Sequence, residues 1–214
     1  MNTPWRLFVA ALHFGTRGSV PPRAAARLVP LAGIVVGAAG AGVYWLGAQL
    51  WPTSIAVVLA MLATVSIAMP DASAGNGSVY RVFSLLIKFN ALMALSSARV
   101  PFALPEYLTL GLIMVAGQAA SRALALSAMA TDVPAELRVT AGDLTVAMII
   151  GLAPAALLGI PGLIGLAAAI AMRLAQSAHV FHIRTLEVAA RLDITQQLTE
   201  ICFYLGALAT WTYI

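Results

Sequence analysis

Charge is what this sequence has least of. Only 9% of its 214 residues are Asp, Glu, Lys or Arg, and 61% are hydrophobic, whereas soluble domains carry about 25% charged residues. A deficit of that size runs through most of the length. It excludes a soluble domain with one anchor and leaves a polytopic membrane protein. Cysteine is nearly missing as well. Cys202 stands alone inside an apolar run, so no disulfide framework forms within the chain, and the expected role is that of a small buried hydrophobe. Lysine is reduced to Lys88, and the arginines are scattered near span ends instead of lining one face. That distribution is the one topology signals have, and it excludes a nucleic-acid partner.

Carboxylates are also few: Asp71, Glu106, Asp132, Glu136, Asp143, Glu187, Asp193 and Glu200. Divalent-cation sites are built from several such oxygen ligands. Here no two acids sit at i, i+3 or i, i+4 within a span, and only Asp132 and Glu136, in a loop, are four apart. There is no phosphate-binding glycine loop, dinucleotide fingerprint, His-Glu-x-x-His or Cys-x-x-Cys. His179 and His182, with Glu187 following, make a weak metal pattern that polar residues at a helix end explain more simply.

What fills the chain is apolar helix. Leu28–Leu50 is the first uncharged run, and about 20 such residues cross a bilayer. Arg6, Arg17, Arg23 and Arg27 precede it, which places the N-terminus in the cytoplasm. Residues 1–27 form a basic interfacial arm. Within it Thr3–Phe14 is expected to be an amphipathic helix offering Trp5, Leu7, Phe8, Leu12 and Phe14 to the membrane. Further spans are expected at Ser54–Met69, Val79–Ser97, Glu106–Met129, Leu144–Ile160 (broken by Pro154), from Leu163 past Arg173, and Ile194–Ile214. Asp71–Ser78 is the clearest loop, and Pro161–Gly162 is expected to form a tight turn. The fold class is thus all-α: a single transmembrane helix bundle over residues 1–214 with about seven spans, six being the alternative count. Lys88 lies deep in its span, where an ionisable group is a functional hypothesis and a bundle-facing lysine the structural one. Asn90, Gln118 and Gln176 are the other candidates for a polar path. Arg122, in the last part of its span, is expected to snorkel to the phosphate level. Gly33 and Gly37, four apart, read as helix packing.

Three stretches resemble the cobalamin synthase family, membrane enzymes that join adenosylcobinamide-GDP to α-ribazole with release of GMP. ALHFGTRGSVP (Ala11–Pro21) with VPLAGIVVGA (Val29–Ala38) is similar to the family's opening; Phe14, Thr16, Arg17, Val20, Pro21, Pro30, Gly33 and Gly37 match. SRALALSAM (Ser121–Met129) looks like its mid-chain Ser-Arg helix, and QQLTEICFYLG (Gln196–Gly206) like its last helix. The resemblance implies a family scaffold that includes Gln196, Gln197 and Glu200. It also implies a bacterial inner-membrane location and, in an active member, Mg²⁺.

The departures are specific. Where the family carries an acidic motif rich in His, Asp and Gly after the second span, this chain reads MPDASAGNGS (Met69–Ser78). Where the family carries a Gly-Gly-x-Thr-Gly-Asp motif before the last helix, it reads TLEVAARLDIT (Thr185–Thr195). Mg²⁺ on carboxylates would neutralise the diphosphate of a GDP leaving group. Weak metal candidates that remain are Asp71, Glu187 and Asp193, while Arg17, Arg122 and Arg184 are candidates for phosphate. Three functions follow. The residues favour a degenerate cobalamin synthase-like protein of adenosylcobalamin nucleotide-loop assembly, partnered with an intact synthase or a corrinoid intermediate. The alternatives are an active adenosylcobinamide-GDP ribazoletransferase, and a small transporter or membrane chaperone. A homo- or hetero-oligomer in the lipid bilayer is expected in each case.

Overall fold

A computed structural model describes residues 4–17, 23–68, 78–97, 105–131, 138–178 and 188–213. They form eight α-helices: α1 (Pro4–Arg17), α2 (Val29–Leu50), α3 (Thr53–Ala68), α4 (Ser78–Ser96), α5 (Glu106–Thr131), α6 (Ala141–Ala156), α7 (Ile160–Ser177) and α8 (Val188–Tyr213), with a short 3-10 turn, Arg23–Leu28, before α2. No strand occurs among the described residues. The protein is an all-α membrane bundle. Ala25–Leu50, Tyr107–Thr131 and Ile160–Ser177 are long and apolar enough to cross a membrane, and Thr53–Ile67 and Ala141–Ala156 are shorter apolar helices. Helices α4 and α8 are not among these; they carry Arg81, Lys88, Arg191, Asp193 and Glu200 together with uncharged polar residues over 19 and 26 residues.

Helix α5 is the axis. It packs against α2, α4, α6, α7 and α8, and nearly all of its inner turns are buried. Outward-facing residues such as Leu46, Leu62, Phe83, Leu86, Ile149 and Leu163 are exposed and apolar. In water such a surface would aggregate, whereas lipid tails accept it. Small residues set how closely the helices approach. A Cβ at Gly33 would stand 2.6 Å from the Gln118 carbonyl oxygen, and one at Gly37 2.6 Å from the Val115 Cα. Backbone therefore lies on backbone along the α2–α5 seam, in agreement with the packing role expected of these glycines. Gly165 and Gly206 do the same for α7 and α8: a Cβ at Gly206 would meet the Gly165 Cα at 2.9 Å.

Several boundaries differ from expectation for physical reasons. The tight turn is made by Gly159, whose φ of 63° suits a residue without a side chain. Pro161 and Gly162 instead lie in the first turn of α7, where the missing proline N–H costs nothing. Pro154 does not break α6 mid-way but sits in its last turn. Asp143 is the third residue of α6, and its backbone N–H donates to Thr140 Oγ1 at 3.2 Å, an N-cap. Helix α8 begins at Val188, six residues before the expected Ile194, and Asp193 pairs with Arg81 from within the helix. In α1, Trp5 is exposed as expected, and Leu7 is partly buried against the cluster of Ala11, Val29 and Leu126. Cys202 is half-buried and free, not fully enclosed.

Candidate functional site: a cavity between α3, α4, α5 and α8

Two helices bring charge into the bundle with matched spacing. On α4, Arg81 and Lys88 are seven residues apart, and on α8 so are Asp193 and Glu200. Seven residues are about two turns, roughly 10.5 Å along the axis, so each helix repeats its charge on the same face. The two cations meet the two acids in order. Arg81 reaches Asp193 at 3.6 Å, with both side chains partly exposed, and Lys88 reaches Glu200 at 2.6 Å, with both buried.

Glu200 has further partners. Gln118 Nε2 donates to its Oε1 at 2.7 Å, and the Tyr204 hydroxyl donates to the same oxygen at 3.0 Å. Lys88 Nζ also donates to Gln197 Oε1. A buried carboxylate is tolerated when its charge is paired and its lone pairs are filled, and here both conditions hold. The local sequence makes room for this arrangement. A Cβ at Gly117 would lie 2.5 Å from the Tyr204 ring, so glycine at 117 lets the tyrosine lie against α5 beneath Glu200.

These groups line a cavity of about 160 Å³. Its walls are apolar (Met61, Val65, Leu85, Leu92, Met114) except where Thr64, Arg81, Lys88, Gln118, Asp193, Gln196, Gln197, Glu200 and Tyr204 enter it. A polar cavity of this size holds several waters or one small molecule.

Of the residues expected at a site, Gln196, Gln197, Glu200 and Asp193 line this cavity. Gly33 and Gly37 are buried in the α2–α5 seam and Pro30 is buried near Gly151 of α6; none of the three lines the cavity. Arg122 departs from expectation. It does not snorkel but is fully enclosed, and none of its three guanidinium nitrogens has a hydrogen-bond partner. It lies one turn after Gln118 on the inner face of α5, where the helix is covered on all sides. Asp71, His179, His182, Arg184 and Glu187 lie outside the described residues, as do the side chains of Thr16 and Arg17. Among the other polar-path candidates, Lys88 and Gln118 belong to the cavity. Asn90 is exposed and donates back to the Leu86 carbonyl, and Gln176 is buried on α7 with its amide unpartnered.

Sequence reasoning missed the pairing itself and the parts of Arg81 and Tyr204. The signal was present as equal seven-residue spacings of opposite sign on two helices. The cavity does not fit Mg²⁺. Its two carboxylates each face a cation already, and its remaining oxygen ligands are amides, a phenol and the Thr64 hydroxyl, whereas Mg²⁺ is held by free carboxylates and water.

No family model matches the chain, and no solved structure matches it. One segment of 69 residues is 49% identical to the adenosylcobinamide-GDP ribazoletransferase of Leptothrix cholodnii, covering 28% of this chain and 26% of that protein. The chain thus matches only about a quarter of the curated relative's length.

Proposed function

We propose that this chain is a cobalamin synthase-like membrane protein of adenosylcobalamin nucleotide-loop assembly, seated in a bacterial inner membrane, that takes part without performing the Mg²⁺-dependent transfer. The observation that carries the pathway assignment is the 49% identical segment shared with the ribazoletransferase of Leptothrix cholodnii. The non-catalytic reading is supported by the engagement of Glu200 and Asp193 with Lys88 and Arg81. Carboxylates so neutralised supply no charge to hold a metal against a diphosphate. In this reading the bundle binds a corrinoid intermediate or docks on an intact synthase.

Complementation tests it. Expressed alone in a synthase-deficient strain, the chain fails to restore cobalamin-dependent growth; co-expressed with an intact tagged synthase, it co-purifies with that enzyme. Rescue by the chain alone overturns the non-catalytic reading and makes it an active ribazoletransferase. In that event Asp71→Ala and Glu187→Ala, in the stretches that stand where the family's acidic motifs stand, are the variants that should abolish rescue.

A further inference from the structure

Among the described residues the buried charged side chains are Lys88, Arg122, Arg173 and Glu200. Arg173 is accommodated by hydroxyls: its Nε donates to Ser127 Oγ at 3.0 Å and its Nη2 to Thr131 Oγ1 at 3.1 Å. Lys88 takes Glu200. Arg122 is left over. The oxygens of Glu200 are held by Lys88, Gln118 and Tyr204 and make no hydrogen bond to Arg122. An enclosed guanidinium with no hydrogen-bond partner is among the most costly arrangements a protein interior can hold, so a carboxylate released to Arg122 would be strongly favoured.

We propose that the cavity between α3, α4, α5 and α8 binds a small organic monoanion, whose charge takes over Lys88 and frees Glu200 to pair with Arg122. Geometry makes the exchange short. Glu200 already holds Gln118, and Arg122 is four residues further along α5, a neighbour about 6 Å away on the same helix face. In the occupied state every buried cation has a partner: Lys88 the ligand, Arg122 the carboxylate of Glu200, and Arg173 its hydroxyls. The walls define the rest of the ligand. Met61, Val65, Leu85, Leu92 and Met114 surround the cations, so the anion must carry an apolar body, and about 160 Å³ limits that body to roughly a single ring. Arg81 at the more exposed end gives the anion a first contact on the way in. This inference rests on the cavity and on the unpartnered Arg122 beside it in the bundle and does not depend on the pathway assignment.

The test uses the full chain in lipid nanodiscs with benzoate as the probe and inorganic phosphate as the comparison. Benzoate binds saturably and raises the thermal midpoint, and phosphate binds on the order of tenfold or more weakly because it has no apolar body. Lys88→Gln loses benzoate binding, and Lys88→Arg restores it. Arg122→Leu raises the midpoint of the unliganded protein, because it removes an unpartnered buried charge. It also weakens benzoate on the order of tenfold, because Glu200 then has no second cation to move to. Three results would each overturn the proposal: phosphate binding as tightly as benzoate, unchanged benzoate affinity in Arg122→Leu, or a lowered unliganded midpoint in that variant. If Lys88→Gln does not fold, the two Arg122→Leu measurements still decide.

Discussion

The α2–α5 seam and the α4–α8 cleft sit in the same bundle and share helix α5 as neighbour, yet they are built on opposite principles. Along the seam, Gly33 and Gly37 remove side chains so completely that backbone meets backbone. In the cleft, Arg81, Lys88, Asp193 and Glu200 supply long polar side chains that keep the helices apart and enclose a cavity. Lipid offers no hydrophobic force to press helices together, so van der Waals contact and interhelical polar bonds have to hold the bundle. The seam relies on the first and the cleft on the second. The seam has one way to pack, whereas the cleft has partners that can be exchanged. A binding function therefore belongs in the cleft and the scaffold in the seam.

The sharpest way to break the comparison is to remove one charge from the cleft. Glu200→Ala leaves Lys88 buried without a counter-charge and strips Gln118 and Tyr204 of their acceptor. The expected loss is about 3–5 kcal/mol, the range for breaking a buried pair, read as a fall in thermal midpoint or in the yield of folded protein. Lys88→Met combined with Glu200→Gln should recover most of that loss. Neither charge then remains, and the glutamine carbonyl oxygen still accepts from Gln118 and Tyr204. If the double variant is as unstable as Glu200→Ala, the pair is not what holds α4 to α8.

The seam should respond to added volume instead of lost charge. Gly37→Ala places a methyl 2.6 Å from the Val115 Cα, and Gly33→Ala places one 2.6 Å from the Gln118 carbonyl oxygen. Backbone cannot swing aside as a side chain can, so each should cost about 1–3 kcal/mol, and both together should show coupling because they share one interface. Gly42→Ala is the control, since its Cβ meets nothing within 4 Å. It should be neutral or slightly stabilising by raising helix propensity. Equal losses at Gly37 and Gly42 would mean that the seam is not a close contact.

The seam was legible in the sequence and the cleft only partly so. Two glycines four apart in an uncharged span announce a packing face, because the information is local and periodic. The helical class and most helix positions were legible for the same reason, from apolar runs long enough to span a bilayer. Lys88 and Gln118 stood out singly as polar groups at depth, and Gln196, Gln197 and Glu200 through family resemblance. That Lys88 meets Glu200, across 112 positions, depends on which helices become neighbours, and no local pattern carries that. Arg122 was misread because snorkelling was judged from its distance to the helix end. Its enclosure is decided by the neighbours that cover α5 on every side. The turn before α7 was misplaced because Pro161 and Gly162 are strong turn residues, but an apolar first turn absorbs both once Gly159 supplies the positive φ.

The smallest expected effect sharpens the comparison within the cleft itself. Arg81 and Asp193 repeat the Lys88–Glu200 pair two turns away, with the same signs on the same helices, but at 3.6 Å and with side chains 35% and 26% exposed. Water and headgroups screen such a pair, and exposed ion pairs contribute about 0–1 kcal/mol. Asp193→Asn should therefore lower the thermal midpoint only slightly, and the difference should shrink further as salt is raised, since screening acts on the exposed pair and hardly on the buried one. Glu200→Gln, which likewise removes one charge while keeping the shape, should cost more and should not respond to salt. The ratio of the two losses measures how steeply the surroundings change over two turns of α8. If Asp193→Asn proves as costly and as salt-insensitive as Glu200→Gln, the outer pair is as enclosed as the inner one, and the cleft has no open end at Arg81 through which a ligand could enter.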